Sequence, residues 1–326
     1  MATAYHRDQP GAPGLSYSAD VSSVAQFSAL KALLKACLVT GYGSVPAAGW
    51  ELANEGARFI VLRNGVHTGY VCLTWFSGGV VRVYVAETYN GMSGDVMSGD
   101  GLKTGTASAN AMPQAFSAYM LAYDSAATAW SMVADEQTFI VNLISNNTDI
   151  DPALVGAWRG LTLYVGNDSS GHFIAVGGKH TQSVSFSSGG NDYFHGTSLT
   201  SLRDPATGLL VDQGSLSVEI PALPKNISTN QLTASILIPP TVQLVKVSWF
   251  GNGVFAGHLR GCCVSPEVMF RSRVSIAARS LGYVGTMTLR TAGTPLDFGD
   301  GFSYFIRLST PNEVPFFLVT DNPEFW

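Results

Sequence analysis

Charge is scarce along this chain, and that limits what it can fold into. Asp, Glu, Lys and Arg make up 13% of its 326 residues, against about 25% in an ordinary soluble domain. No segment is apolar enough to span a bilayer. The longest apolar stretches, such as Ile236–Pro240 and Val314–Val319, fall far short of the roughly 20 residues needed. The chain must therefore cover its surface with Ser, Thr, Asn and Gly, or bury much of it against further copies. Both solutions suit assembled shells better than free cytosolic enzymes.

The bulk numbers exclude several classes. Length permits one large β domain or roughly two to three smaller ones. The net charge of -5 and the lack of any Lys/Arg-rich run leave no basic stripe of the kind that neutralises phosphates. No nucleic-acid partner is expected, although a fold could gather scattered arginines such as Arg271, Arg273 and Arg279. Cys37, Cys72, Cys262 and Cys263 lack the spacing of zinc sites, and adjacent cysteines rarely bond each other. They read as buried or half-buried free thiols. The opening MATAYHRDQPGAPG has no basic segment followed by an apolar one, so it is not a signal peptide. Synthesis in a cytoplasm is expected, with any surface role following release from that cell.

Local patterning predicts a β-rich chain with one substantial helix. Residues 1–19 are Gly-, Pro-, Ala- and Ser-rich without hydrophobic period, and read as a flexible N-terminal arm. Phe27, Leu30, Leu34, Cys37 and Leu38 then recur at helical spacing, with Lys31 and Lys35 opposite. Asp20 or Ser22 can cap that helix and Gly41 can end it. After the turn-rich GYGSVPAAGW the period changes to that of strands: 58–63, 69–76 and 80–88, with a hairpin turn at Ser77-Gly78-Gly79. Residues 89–112 read as a long loop of small residues. Strands resume at 116–123, 128–133 and 138–144, the last two joined by a tight Ala134–Gln137 hairpin. Further strands are expected at 161–165, 173–176, 183–186, 216–220, 232–238, 242–250, 253–258, 282–290, 302–308 and 316–319. Asn252-Gly253 is again a hairpin signal. The expected fold is mainly β: antiparallel sandwich- or barrel-like sheets with one N-terminal helix. A soft boundary near 221 would divide a helix-plus-β domain, 20–220, from a C-terminal β region, 221–326, unless the two form one domain.

Candidate chemistry is sparse. None of the histidines, His6, His67, His172, His180, His195 and His258, has the spacing of a helical zinc pair. His172 and His180 share a strand–turn–strand region with Asp168, where a metal or acid/base site is conceivable, but turn or strand-surface roles explain them more simply. No GxSxG elbow and no GxxxxGK[ST] loop occurs. Asp95 and Asp100 stand in two SGD triplets; oxygen-rich glycine loops can hold calcium, but an EF-hand ligand ladder is absent. Glu87, Asp135, Glu136 and Glu219 lie in or beside apolar strands and read as edge or turn residues. Trp75, Trp130, Trp158, Trp249 and Trp326 could form a sugar platform, yet most alternate with apolar residues as core side chains do. The terminal Asn322-Pro323-Glu324-Phe325-Trp326 reads as a docking tail, onto this subunit or the next. No catalytic, cofactor-binding or metal-binding residue is assigned, and no cofactor is expected.

One stretch carries a resemblance. FSALKALLKACLVTGYGSVPAAGWELA, from Phe27, resembles a segment near the N-terminus of uncharacterised virion proteins of tailed bacteriophages. There a helix of pattern LKxxLxxCLVxGYG leads through A-A-G-W into a strand ending in Arg. The matching residues are Leu30, Leu33, Cys37, Leu38, Val39, Gly41, Tyr42, Gly43, Ala47, Ala48, Gly49 and Trp50, followed by Arg58 and Arg63. Trp130–Asp135 with Thr138-Phe139, and Gly257–Cys262, are similar to later segments of that group. The likeness is good over about residues 20–65, patchy to about 180 and weak beyond.

The resemblance implies a non-enzymatic structural subunit of the virion in tail, baseplate, neck or capsid accessory position, made in the host bacterial cytoplasm. It would act as a homo-oligomer docked to other virion proteins, without membrane insertion. The arm 1–19, the loop 89–112 and the tail 321–326 are the pieces expected to tie copies together. A receptor- or glycan-binding module of the virion, touching host surface glycan, is the alternative. A virion-associated hydrolase is the third.

Overall fold

The computed structural model describes residues 1–15, 24–77, 80–102, 116–119, 129–145, 159–177, 199–210, 216–219, 245–264, 295–297, 300–306 and 318–326. In chain order the strands of the first half are β1 (Thr3–His6), β2 (Glu51–Glu55), β3 (Phe59–Arg63), β4 (Tyr70–Ser77), β5 (Val80–Ala86), β6 (Gly91–Ser93), β7 (Val96–Ser98), β8 (Phe116–Tyr119), β9 (Ala129–Ala134) and β10 (Thr138–Ser145). Those of the second half are β11 (Arg159–Asn167), β12 (Phe173–Gly177), β13 (Leu199–Ser201), β14 (Leu216–Glu219), β15 (Val245–Gly251), β16 (Val254–Val264), β17 (Leu296–Asp297), β18 (Ser303–Ile306) and β19 (Leu318–Thr320). Helix α1 (Val24–Lys35) runs on into a π-helical turn, Ala36–Thr40.

These strands form open antiparallel sheets; among the described residues none closes into a barrel. The central sheet has the order β1-β9-β10-β11-β12-β13, the N-terminal sheet β2-β3-β4-β5-β8, and the C-terminal sheet β14-β15-β16-β19-β18-β17. The central sheet is covered on both faces. Side chains of a strand alternate between faces, and here the two sets enter two different cores. Trp130, Met132, Phe139, Val141, Leu163 and Val165 share a core with α1 and the N-terminal sheet. Val133, Ile140, Tyr164, Ile174 and Val176 pack instead with Trp249, Leu259, Cys262, Phe305 and Val319 of the C-terminal sheet. The register keeps each set in line: Phe139 pairs with Ala134 and Val165, and Ile140 with Val133 and Tyr164. Double burial is why these strands read as near-continuous apolar runs (TFIVNLI, FIAV) rather than as a polar–apolar alternation.

The start of the chain departs from the expected flexible arm. Thr3–His6 pairs with β9, from Thr3 opposite Ala134 to His6 opposite Ser131. Tyr5 and Leu15 are buried in the core with α1. The Tyr5 hydroxyl donates to the Pro46 carbonyl at 2.9 Å, and Trp130 Nε1 to the Pro13 carbonyl at 3.1 Å. Composition could not reveal this, because four residues suffice for an edge strand when a partner strand supplies the hydrogen bonds. The outer edge of β1 is closed by one side chain. The Gln9 amide accepts from His6 N at 3.0 Å and donates to the Ala4 carbonyl at 3.0 Å, as a further strand would. Residues 16–19 of the expected arm lie outside the described residues.

Three further expectations change. Residues 89–102 are not a plain loop: β6 and β7 form a hairpin over the outer face of the N-terminal sheet, with Met97 against Val61, Cys72 and Tyr84. Residues 103–112 of that expected loop lie outside the described residues. Lys31 is not on a solvated helix face. It is 6% exposed, its Nζ lying 5.9 Å from the Phe27 ring centroid, donating to the Gly56 carbonyl at 2.5 Å and pairing with Glu55 at 3.1 Å. A long stem lets such a side chain bury its carbons and still deliver its charge. And β14, at 216–219, pairs with β15, so the soft boundary at 221 falls inside the C-terminal sheet. Gly41 does end the helical segment, at φ 75°, and Asn252-Gly253 turns with φ 50° and 78°, as a type I′ hairpin requires. The expected caps Asp20 and Ser22 and the expected strands at 183–186, 232–238 and 282–290 lie outside the described residues.

Candidate functional site

The sequence singled out His172 and His180 with Asp168, and the structure brings Asp168 and His172 together. Strand β11 ends at Asn167, whose carbonyl accepts from Thr138 Oγ1 at 2.7 Å and from Tyr164 Oη at 2.6 Å. The next four residues, Asp168-Ser169-Ser170-Gly171, make a tight turn closed by Asp168 N to the His172 carbonyl at 2.9 Å. Asp168 organises it, as an Asp at a turn start does. One carboxylate oxygen accepts from Ser170 N and His172 N, both at 2.8 Å. The other accepts from His172 Nδ1 at 2.9 Å and from Trp249 Nε1. The tryptophan belongs to β15, so this carboxylate joins the central sheet to the C-terminal sheet.

The opposite strand is shaped to receive the turn. Gly257 lies so close that a Cβ there would collide with the Asp168 carboxylate. His258 donates its backbone N to Ser169 Oγ at 2.9 Å and accepts from Ser169 N at 3.0 Å. Its Nδ1 is 3.0 Å from Ser248 Oγ, and its ring lies 5.0 Å from that of Phe255. The His172 ring stands perpendicular to Trp249 at 5.6 Å. Burial, and then Lys246, push the His258 imidazole below its ordinary pKa, against the pull of Asp168.

Chemically this is a joint before it is a reaction centre. An ionised carboxylate offers about four lone-pair sites, and Asp168 fills them with protein donors. None is left for a metal ion or a substrate proton. Among the described residues no group of three or more His, Cys, Asp or Glu could hold a metal ion. His180 and His195 lie outside the described residues. His67 sits apart, its Nε2 3.0 Å from Glu51 on the surface. Asp95 pairs with Arg58 at 3.2 Å, and Asp100 accepts from Thr88 Oγ1 at 3.0 Å.

A second joint was only half visible in the sequence. Asp135 is the turn residue it was expected to be, with Oδ1 accepting from Gln137 N and Thr138 N, each at 2.9 Å. It also pairs with Arg260, which donates to Oδ1 at 3.2 Å and to Thr138 Oγ1 at 3.0 Å, both side chains being almost fully buried. The available signal was an arginine inside the apolar strand GHLRGCC. Trp326 covers that guanidinium at 5.2 Å from ring to Cζ, and its Nε1 donates to the Thr320 carbonyl at 2.6 Å. Gly261, at φ 67°, leaves the room that the indole fills. The tail therefore docks on its own chain. Glu87 pairs with Arg203 at 2.8 Å, Glu136 is exposed, and Glu219 stands in β14 opposite Ser248.

Trp75, Trp130 and Trp249 are core residues, each 4% exposed or less; Trp158, Arg271, Arg273 and Arg279 lie outside the described residues. None of the four cysteines is in a disulfide, and all are buried. Among the described residues the exposed large apolar side chains are Met1, Leu52 and Val66, and two adjacent pairs: Val254 and Phe255 at the tip of the β15–β16 hairpin, 52% and 51% exposed, and Leu209 and Leu210, 66% and 45% exposed. The loop carrying the leucines is tied to the hairpin turn by Asn252 Nδ2 to Asp204 Oδ2 at 2.9 Å. Comparison with protein-family models, curated proteins and solved structures finds no match for this chain.

Proposed function

We propose that this protein is a non-enzymatic structural subunit of a tailed-bacteriophage particle, acting by self-association and by docking to other virion proteins. The observation that carries the reading is the exposed apolar hairpin tip, Val254-Phe255, tied to a loop bearing exposed Leu209 and Leu210. Single exposed apolar residues are ordinary, but adjacent ones at a hairpin tip favour a contact surface. Low charge density supports the reading too, because closely packed copies then repel one another weakly. So does the resemblance of the helix and AAGW segment. Arm and tail no longer serve as ties, since both are occupied within the chain; the hairpin tip takes over that role. The buried Trp75, Trp130 and Trp249 are not available to a glycan platform.

Light scattering on a size-exclusion column, across protein concentrations, with negative-stain images of the same fractions, tests this. The expected result is a defined oligomer whose mass falls in Phe255→Ser and Leu209→Ser. A strict monomer at every concentration, in both wild type and variants, overturns self-association.

A further inference from the structure

We propose that the seam between the central and C-terminal sheets is an acid-sensitive joint, in which protonation of His6 and His258 loosens the C-terminal sheet from the rest of the fold. The histidines are not scattered. Of the described ones, His6, His172 and His258 all sit at this seam, and only His67 lies elsewhere. His6, on β1, faces Phe305 of β18 with ring centroids 6.1 Å apart. Its Nδ1 is buried and, among the described residues, has no hydrogen-bond partner. A proton added there would create a charge with no acceptor, which is costly in an apolar contact. His258, on β16, makes the backbone bonds that hold the Ser169 turn.

The surroundings of both rings oppose protonation. Around His6, β18 contributes the Phe305 ring and β9 the opposing Ser131; the near charge is Asp8, from the same segment. Burial pushes the His6 pKa below its ordinary value, and Asp8 offsets this only in part. Around His258, β15 contributes Ser248 and the cationic Lys246, the β11–β12 turn contributes Asp168, and the same strand contributes Phe255. Burial and Lys246 outweigh Asp168. His172 at the same seam is held by its Nδ1 contact with Asp168 at 2.9 Å.

The sign follows from linkage. Both folded-state values lie below the unfolded one of 6.5. The stability these residues contribute is therefore complete above that pH and is lost as pH falls through the folded-state values. The loss falls on the seam they occupy. It does not fall on the N-terminal sheet, which shares the other core.

Hydrogen exchange of the full chain, read by peptide at about pH 7.5 and about pH 5 and corrected for the intrinsic rate change, tests the proposal. Peptides covering 245–264 and 300–306 should gain at least about threefold in relative exchange over those covering 70–77 and 80–86. The double variant His6→Phe, His258→Asn should lose that selective gain; asparagine keeps a polar atom near Ser248. Should the double variant fail to fold at neutral pH, His258→Asn alone should reduce the gain. Equal acceleration in all sheets, no acceleration, or a gain undiminished in the variants overturns the proposal.

Discussion

At the scale of single residues, buried polar groups specify this fold. Ser131, Asn142 and Thr162 stand side by side on β9, β10 and β11, with Thr162 Oγ1 donating to Asn142 Oδ1 at 2.7 Å. A slip of one residue would turn that row to the other face and leave it unpaired. The Asp135–Arg260 pair ties residues 125 apart in the chain. Removing one partner of such a pair strands the other in the core. Arg260→Ala is therefore expected to cost about 3–5 kcal/mol by urea unfolding, and Arg260→Lys less, since lysine keeps the charge without the fork. A loss under about 1 kcal/mol, the level of an exposed pair, would contradict the burial. The thiols give a second expectation. Burial pushes Cys72 up to about 12 and raises Cys37 and Cys263 as well. Thiolate is the reactive form. A disulfide reagent at neutral pH should leave all four cysteines unmodified in the folded protein and label all four in urea; rapid labelling of any one without urea would count against it.

At the scale of elements, the N-terminal strand is the main revision. Tyr5 reaches into the core beside Trp130 and Met132, so Tyr5→Ala is expected to cost about 3–5 kcal/mol, as other large aromatic truncations do. Tyr5→Phe removes only the hydrogen bond to Pro46, about 1 kcal/mol. Deleting residues 1–15 uncovers β9 and should give an insoluble or strongly destabilised chain. Gln9→Ala separates edge protection from core stability. It should change the unfolding midpoint little yet raise light scattering on storage, because an open strand edge recruits other strands. Unchanged scattering would mean that Gln9 only decorates the edge. Periodicity does identify α1 and most strands, because their signals lie within a few residues. It does not find β1, β2, β6, β7, β13 or β17, short strands whose pairing depends on partners that composition does not name.

At the scale of the whole molecule, the central sheet belongs to two cores at once, so the three layers should unfold together at neutral pH. Calorimetry is expected to give one transition with equal calorimetric and van't Hoff enthalpies. Two transitions at neutral pH would make the C-terminal sheet an independent unit. The carboxylates of Asp168 and Asp135 bind the same two layers from neighbouring turns.

The sequence alone determined the fold class, the helix, the Asn252-Gly253 hairpin, the burial of the cysteines and the Asp168–His172 neighbourhood. Each follows from short-range rules: periodicity, turn chemistry, low charge. Only the tertiary structure decided that the first residues form a strand, that Trp326 lies on Arg260, and that three histidines share one seam. Those facts join residues far apart in the chain, and long-range partners are chosen by the packing of whole sheets, which no local pattern encodes.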